Sequence, residues 1–191
     1  LGLVSAQCGD NDEAEKHYNK ALDLKPDFLG VLVNLGNLRL TQNRGEEAKE
    51  FFFKALKIDN QKIPAKKSLA AYYEQSGKFE EAKKIYREIL KSDPSYTIAD
   101  KSLSLIHKYK LGDDHIKMME EKMSSDLGEE SLQILSFALG KAYEDIGNYE
   151  KSFKLYDTGN KLYSKKITYD LKNDVNYFKK IKKVFEKKNI S

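Results

Sequence analysis

The chain has 191 residues, 34% of them charged and 40% hydrophobic, with only three prolines and eleven glycines. That profile suits amphipathic helices, and no segment approaches the roughly 20 consecutive apolar residues that a membrane span needs. The formal net charge of +4 is uneven: Lys161 to Ser191 holds ten lysines and three acids, so the residues before it are mildly acidic and the tail is basic.

The first residues, LGLVSAQCGD, lack the basic start and long apolar run of a signal peptide. Cys8 is the single cysteine, which excludes an internal disulfide and points to a reducing, cytoplasmic setting. No cysteine or histidine stands at ligand spacing from it, so it reads as a small apolar filler near a helix end. The chain starts at Leu1, seventh in its repeat, and so reads as a fragment of a longer protein.

One unit organises the rest. Residues Ile63 to Tyr96 recur on both sides with a period of 34, which puts Ala14, Ala48 and Ala82 in one column and Tyr18, Phe52 and Tyr86 in another four later. A fixed period in this range predicts a stacked array rather than separate domains. The units run from Leu1 to Phe28 (truncated), Leu29 to Lys62, Ile63 to Tyr96, Thr97 to about Leu132, and Gln133 to Lys166.

Within the cleanest unit, Leu69, Tyr72 and Tyr73 recur at helical spacing in a first helix. Ala82, Ile85, Tyr86, Ile89 and Leu90 do so in a second, with Gly77 at the turn between. Pro64 suits a first helical turn and Pro94 follows a helix end. Each unit is a helical hairpin that cannot bury its apolar face alone.

Leu-Gly pairs (Leu1-Gly2, Leu35-Gly36, Leu139-Gly140), then Ala-x-x-x-Phe/Tyr, then a small residue (Ala21, Ala55), then Pro, resemble the tetratricopeptide repeat. The resemblance implies an all-α fold: a right-handed superhelical array of antiparallel hairpins with a C-terminal capping helix. The fourth unit is worn, with Ile116 and Glu120 in the Ala and aromatic columns, and the next unit arrives two residues late. The fifth has Ser152 and Gly159 in small-residue columns; Gly159 reads either as a close-approach glycine or as a helix cap with Asn160. Residues 167–191 follow as a basic amphipathic helix, whose stripe Val175, Phe178, Ile181, Val184 and Phe185 is expected to close the last hairpin.

No phosphate loop or dinucleotide motif occurs, and His17, His107 and His115 share no motif. Asp113, Asp114, His115, Glu120 and Glu121 have metal-ligand atoms, but acids after Gly112 are expected to cap a helix. No catalytic residue, cofactor or metal is assigned in this chain. Only three arginines occur, none in the tail, so nucleic acid is not the expected partner.

The expected partner is a protein or peptide, or the protein's own downstream domain. From the family geometry the groove columns are Val33, Asn37 and Leu40, then Lys67, Ala71 and Glu74, then Ile98, Lys101, Leu105, Lys108 and Tyr109, then Ile134, Phe137 and Lys141. An extended peptide with acidic and apolar side chains would suit them, as would a merely solvated face. Asn37, Lys67 and Lys101 echo the carboxylate-gripping set of chaperone adaptors, but Val33, Ser68 and Ser102 stand where that set needs polar or basic groups. Binding of a chaperone tail is therefore not expected. Phe53 shares a column with Asn19, Arg87 and Asp157, which predicts exposure and a candidate contact on the convex side.

Leu135 to Asp170 also resembles the last repeat of bacterial tetratricopeptide–sulfotransferase proteins, through Phe137 to Gly147, Gly159-Asn160 and Tyr169-Asp170. That resemblance implies a catalytic domain after residue 191, using 3′-phosphoadenosine 5′-phosphosulfate.

Ala82 anchors this register. Replacing it with Leu is expected to overpack the hairpin by about 1–3 kcal/mol, read as a lower thermal midpoint; an unchanged midpoint refutes the register.

Overall fold

The computed structural model describes residues 2–7, 9–166 and 171–188. Cys8 and the Tyr169-Asp170 pair lie outside the described residues. Those described form helices joined by short turns, with no strand among them: α1 (Gly2–Gln7), α2 (Asn11–Leu24), α3 (Leu29–Thr41), α4 (Gly45–Ile58), α5 (Ile63–Gln75), α6 (Phe79–Ser92), α7 (Thr97–Ile106), α8 (Asp114–Met123), α9 (Glu129–Asp145), α10 (Tyr149–Ser164) and α11 (Leu171–Lys188).

Second helices open on acids that complement the helix dipole, Asp12 and Glu13 in α2, Glu46 and Glu47 in α4, and Glu80 and Glu81 in α6. Between the helices of each hairpin the chain turns through a left-handed residue: Gly9, Asn43, Gly77, Gly112 and Gly147, with φ between 58° and 85°. Only Gly, and less readily Asn, takes that conformation cheaply. These turns recur 34 residues apart up to Gly77, then 35 and 35. The two late residues of the fourth unit therefore enter singly, one on each side of Gly112.

The hairpins close through one repeated contact. A Cβ added to Gly2 would lie 2.8 Å from the Tyr18 ring and one on Gly140 would lie 2.9 Å from Tyr156, while one on Gly36 would run into Phe52. In the third unit Ala70, fully buried, takes this column opposite Tyr86. The core continues from unit to unit because shared side chains belong to two clusters at once. Phe51 packs against both the Tyr18–Leu35 and the Leu32–Ala55 groups, and Tyr73 and Ile85 against both the Phe52–Tyr72 and the Ala82–Leu103 groups.

Among the first helices α3 touches α5 and α7 touches α9, whereas no two successive second helices make a comparable contact. The first helices therefore crowd the inner side of the stack and the second helices fan apart on the outer side.

The structure differs from expectation at the fourth unit and at the last helix, and at Gly159 it selects close approach over a cap. The fourth unit is not a tight hairpin: α7 and α8 have ten residues each, α7 packs on α6 and α9, and residues 107–110 have no regular secondary structure. With Glu120 in place of the ring, nothing apolar draws α8 onto α7. Gly159 is not a helix cap, because α10 continues to Ser164; it is buried, and its added Cβ would meet the Phe137 ring at 3.0 Å. Helix α11 forms where expected but buries none of its described residues. Val175, Phe178, Val184 and Phe185 are exposed, so the stripe does not cover the last hairpin.

Two glycines of α3 separate packing from propensity. Gly30→Ala, exposed and with only Phe28 near at 3.9 Å, is expected to raise the unfolding free energy by up to about 1 kcal/mol. Gly36→Ala, against Phe52, is expected to lower it by about 1–3 kcal/mol. Urea titration reads both signs, and a gain at Gly36 refutes the ring contact as the constraint.

Candidate functional site

The inner surface is built from the first helices, and its predicted columns divide by burial. Asn37, Lys67, Lys101, Leu105 and Lys108 are exposed, Leu105 to 65%, and Phe137 and Lys141 are half-buried. Val33, Leu40 and Tyr109 are buried and cannot line a groove. Val33 packs with Leu32, Ala55 and Ala65 between units. Leu40 lies in the core with Phe52, Leu69 and Tyr72. Tyr109 is not on a helix at all, since α7 ends at Ile106.

A pattern twelve residues wide explains Leu40. In the third unit the Tyr86 hydroxyl donates to Glu74 at 2.5 Å, and in the fifth Tyr156 donates to Glu144 at 2.9 Å. In the second unit the corresponding pair is Phe52 with Leu40, ring and partner both apolar. This column thus serves the hairpin's own interior, and in the third and fifth units the hydroxyl is matched by a carboxylate. Burial and the bond to Glu144 push the Tyr156 phenol up to about 12.

The lysines of the inner face also divide. The side chains of Lys67 and Lys101 make no hydrogen bond or ion pair among the described residues. Lys108 and Lys141 both bind Asp145, at 2.6 and 2.5 Å, and Asp145 also accepts the Tyr109 backbone N–H at 3.2 Å. Burial works against ionisation of Asp145, but the two ammonium groups and the N–H prevail and hold its carboxyl below the usual range.

The worn fourth unit contains a polar network that sequence reasoning missed. Asp100, fully buried, accepts two bonds from Lys122 at 2.7 Å and one from Nε2 of His115 at 2.9 Å. The Tyr109 hydroxyl meets Nδ1 of His115 at 2.7 Å. Burial, with the nearby carboxylates of Asp113, Asp100 and Asp145, pushes the Tyr109 phenol far up, so it donates. The other ring nitrogen, Nε2, then carries the proton toward Asp100. The available signal was Asp100 itself, which stands in the column of the buried Leu32 and so required a buried counter-charge.

The acidic cluster considered as metal ligands has other employment. Asp113 accepts the His115 N–H as the cap of α8 and pairs with His107 at 2.7 Å. Glu120 accepts from the Tyr143 hydroxyl, and Asp114 sits 3.7 Å from Lys117.

On the outer side, clefts open between successive second helices. Phe53 is 42% exposed and sits at the mouth of a cleft of about 310 Å³ between α4 and α6, with Leu56, Leu69 and Ile85. The next cleft, between α6 and α8, repeats those positions one period later as Arg87, Leu90 and Leu103, and reaches about 610 Å³.

This geometry agrees with known proteins. Family models described as tetratricopeptide repeat match residues 6–71 and 68–96. Residues 6–96 are tetratricopeptide repeats. Solved structures extend the likeness to the whole stack. MamA aligns with a TM-score of 0.66 at 22% identity, over 88% of this chain and 98% of its own. BtubC from P. vanneervenii aligns at 0.68 and 22%, over 89% and 80%. The repeats of a Podosopora anserina putative kinesin light chain align at 0.64 and 15%, over 88% and 94%. At these identities the likeness is one of fold, and that fold is the tetratricopeptide solenoid.

Among curated proteins, Protein O-mannosyl-transferase TMTC3 of Mus musculus is 32% identical over 71 residues, 37% of this chain. The human protein of that name is 35% identical over 57 residues, 30% of this chain. The matches span 8% and 6% of the length of those proteins. No helix among the described residues is long and apolar enough to cross a membrane.

The Asp145 clamp fixes a pH test. A depressed carboxylate contributes stability that is complete above the unfolded value of about 4 and is lost as pH falls through the folded one. Asp145→Asn is expected to cost about 1–3 kcal/mol at pH 7, with the gap to wild type closing toward pH 3. An equal gap at both pH values refutes the clamp's ionic character.

Proposed function

We propose that the array is a protein-interaction scaffold whose inner face takes an extended peptide bearing acidic and apolar side chains. One observation carries the reading: Lys67 and Lys101, exposed on first helices of successive units, have no acid paired with them among the described residues, and Leu105 is exposed one turn after Lys101. Tetratricopeptide repeats bind proteins and peptides in general, and the exposed row Asn37, Lys67, Lys101 and Leu105 offers both cations and apolar surface. The buried residues Val33, Leu40 and Tyr109 drop out of the site, and Lys108 and Lys141 contribute less, because Asp145 already holds them.

A second reading concerns the longer protein. The run Leu135 to Asp170 supports assignment to the repeat region of a sulfotransferase-type protein, with the array positioning a substrate, a partner or the protein's own catalytic domain. 3′-Phosphoadenosine 5′-phosphosulfate would then be bound downstream of residue 191, and no residue of this chain is assigned to it. The freestanding peptide adaptor is the alternative. The single cysteine supports a reducing, cytoplasmic setting for either.

Anisotropy titration with a labelled peptide of alternating Glu and Leu checks the first reading. Lys67→Glu with Lys101→Glu is expected to weaken binding at least tenfold, and no change refutes the inner row as the site. Sequencing the gene beyond Ser191 checks the second. A stop codon, or a reading frame lacking a strand followed by a Gly-rich phosphate loop, rules out the sulfotransferase assignment.

A further inference from the structure

The outer clefts recur by construction, because second helices fan apart while first helices touch. Comparing two of them at equivalent positions shows what the fourth unit changes. In the α4–α6 cleft the ring of Phe53 stands at the mouth, and the buried Lys66 has Gln61 at 3.3 Å and Glu88 at 4.0 Å. That cleft is small and its cation is answered. In the α6–α8 cleft the volume is about twice as large, 610 against 310 Å³. Arg87 replaces the Phe53 ring, and Lys91 stands beside it.

Neither Arg87 nor Lys91 makes a hydrogen bond or ion pair among the described residues. Of the acids lining the cleft, Asp113 is taken by His107 and the α8 cap and Asp114 is exposed with Lys117 at 3.7 Å, while Glu80 in the adjoining opening is bound by Lys83 at 2.7 Å. The imidazoles are likewise engaged, His107 with Asp113 and His115 with Asp100 and Tyr109. Two cations thus face an opening whose apolar walls are Leu90, Leu103 and Met118 and whose remaining lining is Gly112, Asp113, Asp114 and the two imidazoles. A second opening continues from it past Arg87 to Lys110 and to Leu111, which is 89% exposed.

We propose that the outer α6–α8 cleft is a second docking site, for an acidic protein segment carrying one large apolar side chain. The apolar anchor enters between Leu90, Leu103 and Met118, and a flanking carboxylate pairs with Arg87, whose planar fork takes a carboxylate in two parallel bonds. Lys91 and Lys110 supply charge at the two ends. The site is on the opposite side of the stack from Lys67 and Lys101 and does not depend on the inner-face reading.

The test uses the whole chain and three labelled probes: Ac-Glu-Glu-Phe-Glu-Glu-amide, the same peptide with Ser for Phe, and the same with Lys for Glu. Amide shifts in a ¹⁵N spectrum locate binding, and anisotropy measures it for wild type, Arg87→Glu with Lys91→Glu, and Lys67→Glu with Lys101→Glu. The first probe is expected to shift Leu90, Leu103, Gly112 and Met118, to lose those shifts and at least tenfold in affinity at that cleft with the outer variant, and to keep them with the inner one. The Ser and Lys probes are expected to bind at least fivefold more weakly. The proposal is overturned by shifts confined to the inner row, equal binding of the Ser probe, indifference to the outer variant, or no binding at millimolar peptide. Loss with the inner variant alone leaves the inner-face reading standing and removes this one.

Discussion

The array depends on how closely the two helices of a hairpin approach, and that distance is set by a small residue facing a ring. Gly2 faces Tyr18, Gly36 faces Phe52, Ala70 stands opposite Tyr86, and Gly140 faces Tyr156. The ring gives the hairpin its buried apolar area, and the absence of a bulky side chain opposite lets the backbone come to it. Once the hairpins close, their remaining apolar faces can be satisfied only by a neighbour. Phe51, Tyr73 and Ile85 each belong to two clusters, so each unit's stability includes its interfaces.

Polar atoms follow the same logic. A tyrosine in the ring position brings a hydroxyl into the hairpin, and a glutamate twelve residues earlier accepts from it, as Glu74 does from Tyr86. Where the ring is Phe52, the earlier position is Leu40. A buried donor left unpaired costs about 1–3 kcal/mol, which favours the glutamate in the third and fifth units; Tyr18 of the first unit has Ala6 in that position instead.

The period makes the helices, the turns and the ring contact legible, because each repeats a residue type in a fixed place. Gly77 and Asn43 mark the same left-handed turn, and Pro64 marks a helix start. The groove is only partly legible. Column counting along one helix does not say which face an adjoining unit covers, so it puts Val33 and Leu40 in solvent although α5 and its cluster cover them. Tyr109 escapes for a different reason: the residue inserted before Gly112 ends the helix early, and the shift shows in the sequence only as a turn glycine one position late.

The fourth unit lacks the ring contact, and its geometry loosens accordingly. With Glu120 in the ring position, Ser104 suffices in the small column, and the hairpin is held by Asp100, His115, Lys122 and Tyr109 instead. Polar contacts are directional and fill less space than a ring, so α8 stands off from α7 and the outer cleft beside α6 widens. The same substitution that weakens the repeat as a structural unit therefore enlarges the space next to Arg87 and Lys91. A regular array has equivalent clefts along its outer side and gives a partner no reason to prefer one of them. Breaking the pattern at a single unit makes one cleft larger than the cleft one period earlier and puts Arg87 where that cleft has Phe53.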